Sequence, residues 1–176
     1  MEDDTRDDVR IRKMEEDDLP EVRGLLAAWN MAPREGDPEA ERSGIRVDNS
    51  FVAESGGEIV GTASYIVHGP RTAETASLAV HPDHTGRGIG RRLQVARLEE
   101  MASRGIRTVR TETDRPRTIR WYVERFGYRM TGTAPKKHDF SHPEIDEWTV
   151  LELDLEAWSR ERAGGGGPDA GNEEPG

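Results

Sequence analysis

The stretch LAVHPDHTGRGIGRRL, Leu78–Leu93, runs from small apolar residues through a glycine-rich turn into a charged, periodic segment. Three of the five residues from Gly86 to Gly90 are glycine. Glycine gives up more backbone freedom on folding than any other residue, so such a cluster marks unusual torsions or a close backbone approach. Upstream, TASLAV (75–80) reads as a strand that stops at His81-Pro82. Downstream, Ile89, Leu93 and Ala96 share one helix face, while Val95, Leu98 and Ala102 lie roughly opposite. A helix apolar on two sides belongs near the centre of a fold. A strand feeding a glycine turn at a helix start gathers backbone N–H groups at the positive end of the helix dipole, which suits phosphate oxygens.

Two nucleotide motifs fail on these residues. A P-loop needs G-x-x-x-x-G-K-[ST], but Arg91 and Arg92 follow Gly90. A dinucleotide fold needs G-x-G-x-x-G after its first strand. Here the pattern is G-x-G-x-G after the fourth expected strand, with no repeating βαβ start. On residues alone, the turn either holds the pyrophosphate of another coenzyme or holds nothing.

Working outward, VRIRKM (9–14) alternates as a first strand. Asp18 and Glu21 then form a D-x-x-E capping pattern with Pro20 in the first turn. Val22, Leu25, Leu26 and Trp29 supply one apolar stripe of the helix that follows. Residues 31–50 read as a loop with one short helix. SFVAE and EIVGTASYIV flank Gly56-Gly57, a hairpin signal spanning 50–67. After the central helix, Gly105 is a stop, IRTVRTET (106–113) a strand and 117–126 a helix ending before Gly127. YRMTGT and EWTVLELDL close the sheet as two more strands, joined by the polar segment 134–146. The order is that of a mixed α/β domain with one large sheet and no internal repeat.

Charge concentrates at the ends. Residues 1–8 carry five acids and one arginine, and residues 164–176 carry three acids and no base, so the tails hold −7 of the net −10. The expected organisation is a disordered acidic tail (1–8), a single domain (9–163) and a disordered Gly/acid-rich tail (164–176). Of 25 basic residues, 22 are arginine, a bias that GC-rich coding explains without function. A near-neutral domain argues against nucleic acid as partner. The absence of cysteine excludes disulfides, thiolate metal sites and a cysteine acyl-enzyme. The acidic start lacks the basic and apolar regions of a signal peptide, and no apolar run of ~18 residues could cross a bilayer. The expected setting is the cytoplasm, with no membrane partner.

Residues 78–93 resemble the acyl-CoA-binding motif of the GNAT N-acetyltransferase superfamily, [QR]-x-x-G-x-[GA] between a strand and a helix. Val80-His81-Pro82 matches the family's V-x-P strand end, Gly88 and Gly90 its two small positions, and Leu93 its apolar helix residue. The element order matches over roughly residues 8–156. One departure is Thr85 at the Gln/Arg position; Arg87, Arg91 or Arg92 could replace that long polar side chain. The resemblance implies a mostly antiparallel sheet of about seven strands flanked by about four helices. It implies acetyl-CoA as co-substrate and no metal. Leu78, Ala79 and Val80 would line the pantetheine arm, while Gly86, Arg87, Gly88, Ile89, Gly90 and Arg91 would hold the pyrophosphate. A strand N–H would polarise the thioester carbonyl while a primary amine of a small molecule or peptide attacks. Members of the family often form homodimers, which this sequence neither requires nor forbids.

The family commonly supplies a proton to the leaving thiolate from a tyrosine in Y-x-x-x-G-[FY]. In TIRWYVERFGY the count back from Gly127 reaches Val123, with Tyr122 one residue earlier, and the I-x-x-Y spacing from Ile119 selects Tyr122. Tyr122 also reads as a packed aromatic beside Trp121. Glu112 and Glu74 are the candidate general bases, each equally readable as a solvated strand carboxylate, and a water chain could serve instead. His81 and His84 read as turn chemistry, and His138 and His142 have no third ligand. The alternative function is a non-catalytic acyl-CoA sensor or interaction module on the same fold.

Overall fold

The structure, a computed structural model, describes residues 8–29, 31, 45–136 and 144–164. Most of both expected tails, and residues 32–44 of the loop expected over 31–50, therefore lie outside the described residues; the described end of that loop holds a short 3₁₀ helix, Val47–Asn49. Seven strands form one sheet in the order β1-β2-β3-β4-β5-β7-β6. They are β1 (Val9–Lys13), β2 (Ser50–Ser55), β3 (Glu58–Val67), β4 (Thr72–Val80), β5 (Thr108–Thr113), β6 (Arg129–Pro135) and β7 (Glu147–Asp154). Every pairing is antiparallel except β4 with β5. Among the described residues the four α-helices are α1 (Leu19–Ala28), α2 (Ile89–Ser103), α3 (Pro116–Phe126) and α4 (Leu155–Ala163). This is the mixed, mostly antiparallel architecture expected.

Local chemistry explains the elements. Gly56 and Gly57 both take positive φ (57° and 81°), the torsions of a two-residue hairpin turn whose twist matches its strands. Gly127 caps α3 in the left-handed region. One face of the sheet packs against α2, α3 and α4 around Tyr65, Leu93, Leu98, Met101, Val109 and Leu151. The other face receives α1, where Val22, Leu25 and Leu26 meet Val52, Ile59 and Ala79. Close contact between α2 and β3 depends on Gly61. A Cβ there would lie 2.9 Å from Leu93 Cδ1, 3.2 Å from Ile89 Cγ2 and 3.3 Å from Ala53 Cβ.

Some local expectations are corrected. The Asp18–Glu21 pair does not form a capping box on α1. The Asp18 carboxylate accepts both arms of the Arg12 fork (2.7 and 2.9 Å) and the Glu15 N–H (2.8 Å). Glu21 instead accepts the Ile59 N–H at 3.1 Å, tying α1 to β3. The last strand stops at Asp154, whose Oδ1 accepts the Ala157 N–H at 3.0 Å and caps α4. The sequence reading had no helix there. β4 and β5 begin at Thr72 and Thr108, displaced from the 75 and 106 expected.

Gly61→Ala is expected to destabilise the fold by about 1–3 kcal/mol through overpacking, measurable by urea unfolding. Asp18→Asn should cost about 1.5–3 kcal/mol at neutral pH, the usual worth of a hydrogen bond to a charged group. The Arg12 fork holds the Asp18 carboxyl below its ordinary value. Its contribution is therefore complete above the unfolded value near pH ~4 and lost as pH falls through the lower folded value. Wild type and Asp18→Asn should converge in stability only in that acidic window.

Candidate active site

Parallel pairing between β4 and β5 covers only Thr72–Thr108, Ala73–Val109 and Glu74–Arg110. β4 continues to Val80 and β5 to Thr113. Beyond Glu74 and Arg110 the two strands are no longer partners, and a wedge opens in the sheet. Its cause lies in β4. Ser64 pairs with Ala76 and Thr62 with Ala79, so Ser77 and Leu78 together oppose Ala63 in a β-bulge. Ser77 sits at φ 55°, the left-handed position that glycine usually fills in this type of bulge.

Past the bulge, the His81 N–H bonds Val60 O at 2.7 Å. Alternate residues of a strand direct their peptide groups to opposite edges, so Val80 turns its N–H and C=O away from β3, towards the wedge. Trp29, at the end of α1, donates its indole N–H to Val80 O at 2.8 Å. Across the mouth, the half-buried Arg115 guanidinium stacks 5.1 Å from the Trp29 ring centre. Burial lowers the pKa of Arg115, with neighbouring Asp114 opposing that effect. Asp114 itself forms an ion pair with Lys136 at 2.5 Å, with side chains only 1% and 6% exposed. Lys136 Nζ also lies 4.6 Å over the Trp148 ring.

The glycine loop sits at the open end of β4. A short 3₁₀ turn, Pro82–His84, is capped by His81 Nδ1, which accepts the Asp83 N–H at 3.1 Å. The Thr85 hydroxyl is committed to Pro82 O at 3.1 Å. Gly86 and Gly88 have φ 77° and 78°, which side chains adopt only at a cost. Gly88 is the N-cap of α2, and the Arg92 N–H returns to Gly88 O at 3.1 Å. Gly86 and Arg87 are exposed, Arg91 half-buried, and Gly88, Ile89 and Gly90 buried. Leu78, Ala79 and Val80 of the bulged strand therefore run directly into the loop residues with which the sequence reading grouped them.

Beneath the bulge lies a group that reading missed. Arg97 is 0% exposed. Its Nη1 donates to both Ser64 O and Ala76 O at 3.1 Å, its Nη2 to Tyr122 Oη at 2.9 Å, and its Nε to Gln94 Oε1 at 2.5 Å. Gln94 in turn donates to Tyr128 Oη at 3.0 Å. The sequence held a signal: positions 89, 93, 97 and 101 form one helical stripe, and arginine interrupts it.

Tyr122 is buried against Trp121 and Tyr128, on the α2 side of the sheet. Glu74 and Glu112 project from the other face, alternating with buried Ala73, Thr75, Thr111 and Thr113. Glu74 bonds His68 Nε2 at 2.7 Å and Glu112 bonds Arg110 at 2.5 Å. The structure thus places the tyrosine and the two carboxylates on opposite faces at the wedge apex, without direct contact. Among the described residues no cluster of three or more His, Asp or Glu could hold a metal ion, and His138 and His142 lie outside them. A hollow of about 360 Å³, lined by Ala102, Ile106, Leu155 and Ser159 among others, lies at the other end of α2. About 20 Å of helix separates it from the glycine loop.

The model of the Acetyltransferase (GNAT) family matches residues 10–128, which span β1, the wedge, the loop and α3. The chain belongs to the GNAT acetyltransferase family. A curated relative, mycothiol acetyltransferase of Streptomyces bingchenggensis (strain BCW-1), is 34% identical over 93 residues, covering 52% of this chain and 29% of the relative. Among solved structures, N-acetylglutamate synthase from Neisseria gonorrhoeae, complexed with coenzyme A and L-arginine, superposes with TM-score 0.66 at 21% identity. That match covers 84% of this chain and 33% of the synthase. Ard1 from Thermoplasma volcanium gives TM-score 0.69 at 18% identity, over 83% and 97% of the two chains. The ribosomal-protein-S18-alanine N-acetyltransferase from Escherichia coli gives 0.64 at 20%, over 84% and 94%. The chain thus spans about a third of the curated relative and of the synthase, and nearly the full length of the two smaller structures. Among the described residues no helix is long and apolar enough to cross a membrane.

The bulge makes a test that reverses ordinary strand preference. Ser77→Gly should leave stability unchanged or raise it, whereas Ser77→Val should lower it by about 1–2 kcal/mol or more. Thermal melts of the two variants decide between a bulge and a regular strand at this position.

Proposed function

We propose that the chain is an acetyl-CoA-dependent N-acetyltransferase that passes the acetyl group directly to a primary amine of a small molecule or peptide. The observation that carries this reading is the wedge between β4 and β5 ending at the glycine loop. It offers an extended strand edge for a pantetheine arm and a helix start for a pyrophosphate. Coenzyme A in the gonococcal synthase structure and the amine-directed activity named for the Escherichia coli relative support it.

In this reading Gly86, Arg87, Gly88, Ile89, Gly90 and Arg91 hold the pyrophosphate, and Leu78, Ala79 and Val80 line the pantetheine arm. The neutral amine attacks the thioester carbon and forms the C–N bond. The carbonyl oxygen takes up negative charge, met by a strand N–H such as that of Val80. The C–S bond then breaks with its electron pair on sulfur, and Tyr122 supplies a proton to that sulfur. The nitrogen's surplus proton leaves through Glu74, Glu112 or water, on the face opposite Tyr122. No covalent enzyme intermediate is required.

Calorimetry should detect acetyl-CoA but neither NAD nor ATP, and Gly88→Val should abolish that binding. A chain that ignores CoA species contradicts the reading. Tyr122→Phe should lower thiol release with an amine panel by about 10²–10⁴-fold while sparing acetyl-CoA affinity, the usual range for a lost general acid. Binding without turnover across the panel would favour the sensor alternative. Trp29 emission should change on CoA addition, and Trp29→Phe should remove that change.

A further inference from the structure

Among the described residues no carboxylate lies against the buried Arg97 guanidinium. All four of its acceptors are uncharged: Gln94 Oε1, two backbone carbonyls and the Tyr122 hydroxyl. Among the described residues the titratable groups facing it are two phenols, Tyr122 from α3 and Tyr128 just before β6, while β3 and β4 contribute carbonyl oxygens. Burial pushes the Tyr128 phenol well above the ordinary tyrosine value, so it supplies no anion. The neighbouring carboxylates of α2 are engaged elsewhere, Glu100 with Lys13 and Tyr65, and Glu99 with Arg162. Arginine is almost never fully buried unless paired, because desolvating a cation costs more than neutral hydrogen bonds restore. By contrast the Lys136 ammonium, on a side chain 6% exposed, is paired with Asp114.

Position supplies the reason. Nη1 holds the carbonyl of Ala76, the last residue before the bulge, and Nη2 of the same guanidinium holds the Tyr122 hydroxyl. One rigid, planar fork therefore sets the phenol beside the strand edge at which the wedge opens. We propose that Arg97 is a positioning residue for acetyl transfer, and that its missing counter-charge is the thiolate of departing CoA, reached through Tyr122. The inference rests on the reading of Tyr122 as proton donor. As the C–S bond breaks, its electron pair moves onto sulfur. The chain guanidinium N–H to phenol oxygen, phenol O–H to sulfur then spreads that negative charge towards the cation. Lysine could keep the charge but could not span Ser64, Ala76, Gln94 and Tyr122 together.

Free CoA tests this without any acceptor, because its thiol becomes the same thiolate. Calorimetry would follow the affinity of CoA relative to acetyl-CoA from about pH 6.5 to about pH 9.5, across the ordinary thiol range near 8.5. The two ligands share every phosphate, so the ratio isolates the sulfur. In wild type the ratio should rise about tenfold or more, the equivalent of one pKa unit. Arg97→Met and Tyr122→Phe should flatten the rise while keeping acetyl-CoA affinity at neutral pH within about threefold, and Arg97→Lys should restore part of it. A flat wild-type ratio, or a full rise in either Arg97→Met or Tyr122→Phe, overturns the proposal. If Arg97→Met does not fold by circular dichroism, wild type and Arg97→Lys decide: a rise that is reduced in Arg97→Lys supports it, and an equal rise overturns it. Failure of wild type to bind either ligand removes the coenzyme reading, and this inference with it. A flat ratio with both ligands bound removes this inference alone.

Discussion

The site depends on one interruption of hydrogen bonding: β4 and β5 stop pairing after Glu74 and Arg110. A parallel pair carried to the ends of both strands would close the sheet and leave the glycine loop beside a sealed edge. Two residues opposite one at Ser77–Leu78 add local twist and turn the rest of β4 away. The cost is a serine held in the left-handed region, about 1–2 kcal/mol that a regular strand would not incur. Arg97 offsets part of it by binding the carbonyls of Ser64 and Ala76 just below the bulge. The strand is thus bent at one point and fastened at that point from within the core.

Electrostatics divides the site into two regions. Around the mouth, charges are matched: Asp114 with Lys136, Arg115 stacked on Trp29, Lys136 over Trp148. At the apex the charge on Arg97 is unmatched and surrounded by neutral acceptors. In a low-dielectric interior an unmatched cation acts strongly on negative charge that develops nearby. The carboxylates Glu74 and Glu112 stand on the face of the sheet opposite Tyr122, which in the proposed reading keeps proton donor and proton acceptor apart.

Much of this was legible in the sequence, for physical reasons. Three glycines between a strand and a helix announced the turn in which Gly86 and Gly88 take positive φ, and Gly56-Gly57 announced the hairpin turn. The stripe Val22, Leu25, Leu26 announced the face that α1 buries. The bulge was not legible, because Ser77 is an ordinary strand residue until its torsion is seen. Arg97 could have been noticed as the single charge on the stripe 89, 93, 97, 101, but arginines on helices are usually solvated. Asp18 and Glu21 misled because both carboxylates found tertiary partners, Arg12 and the Ile59 N–H, in place of the local cap. The helix after Asp154 was missed because strand-forming residues run into it without a break.

The central claim is that the wedge and the glycine loop together form a coenzyme site. Amide hydrogen exchange with and without CoA tests it residue by residue. CoA should slow exchange at Val80 and across Gly86–Arg91, while β6 and the hollow between α2 and α4 are unaffected. Protection confined to that hollow or to the sheet edge, or no change at Val80 and the loop, would contradict it.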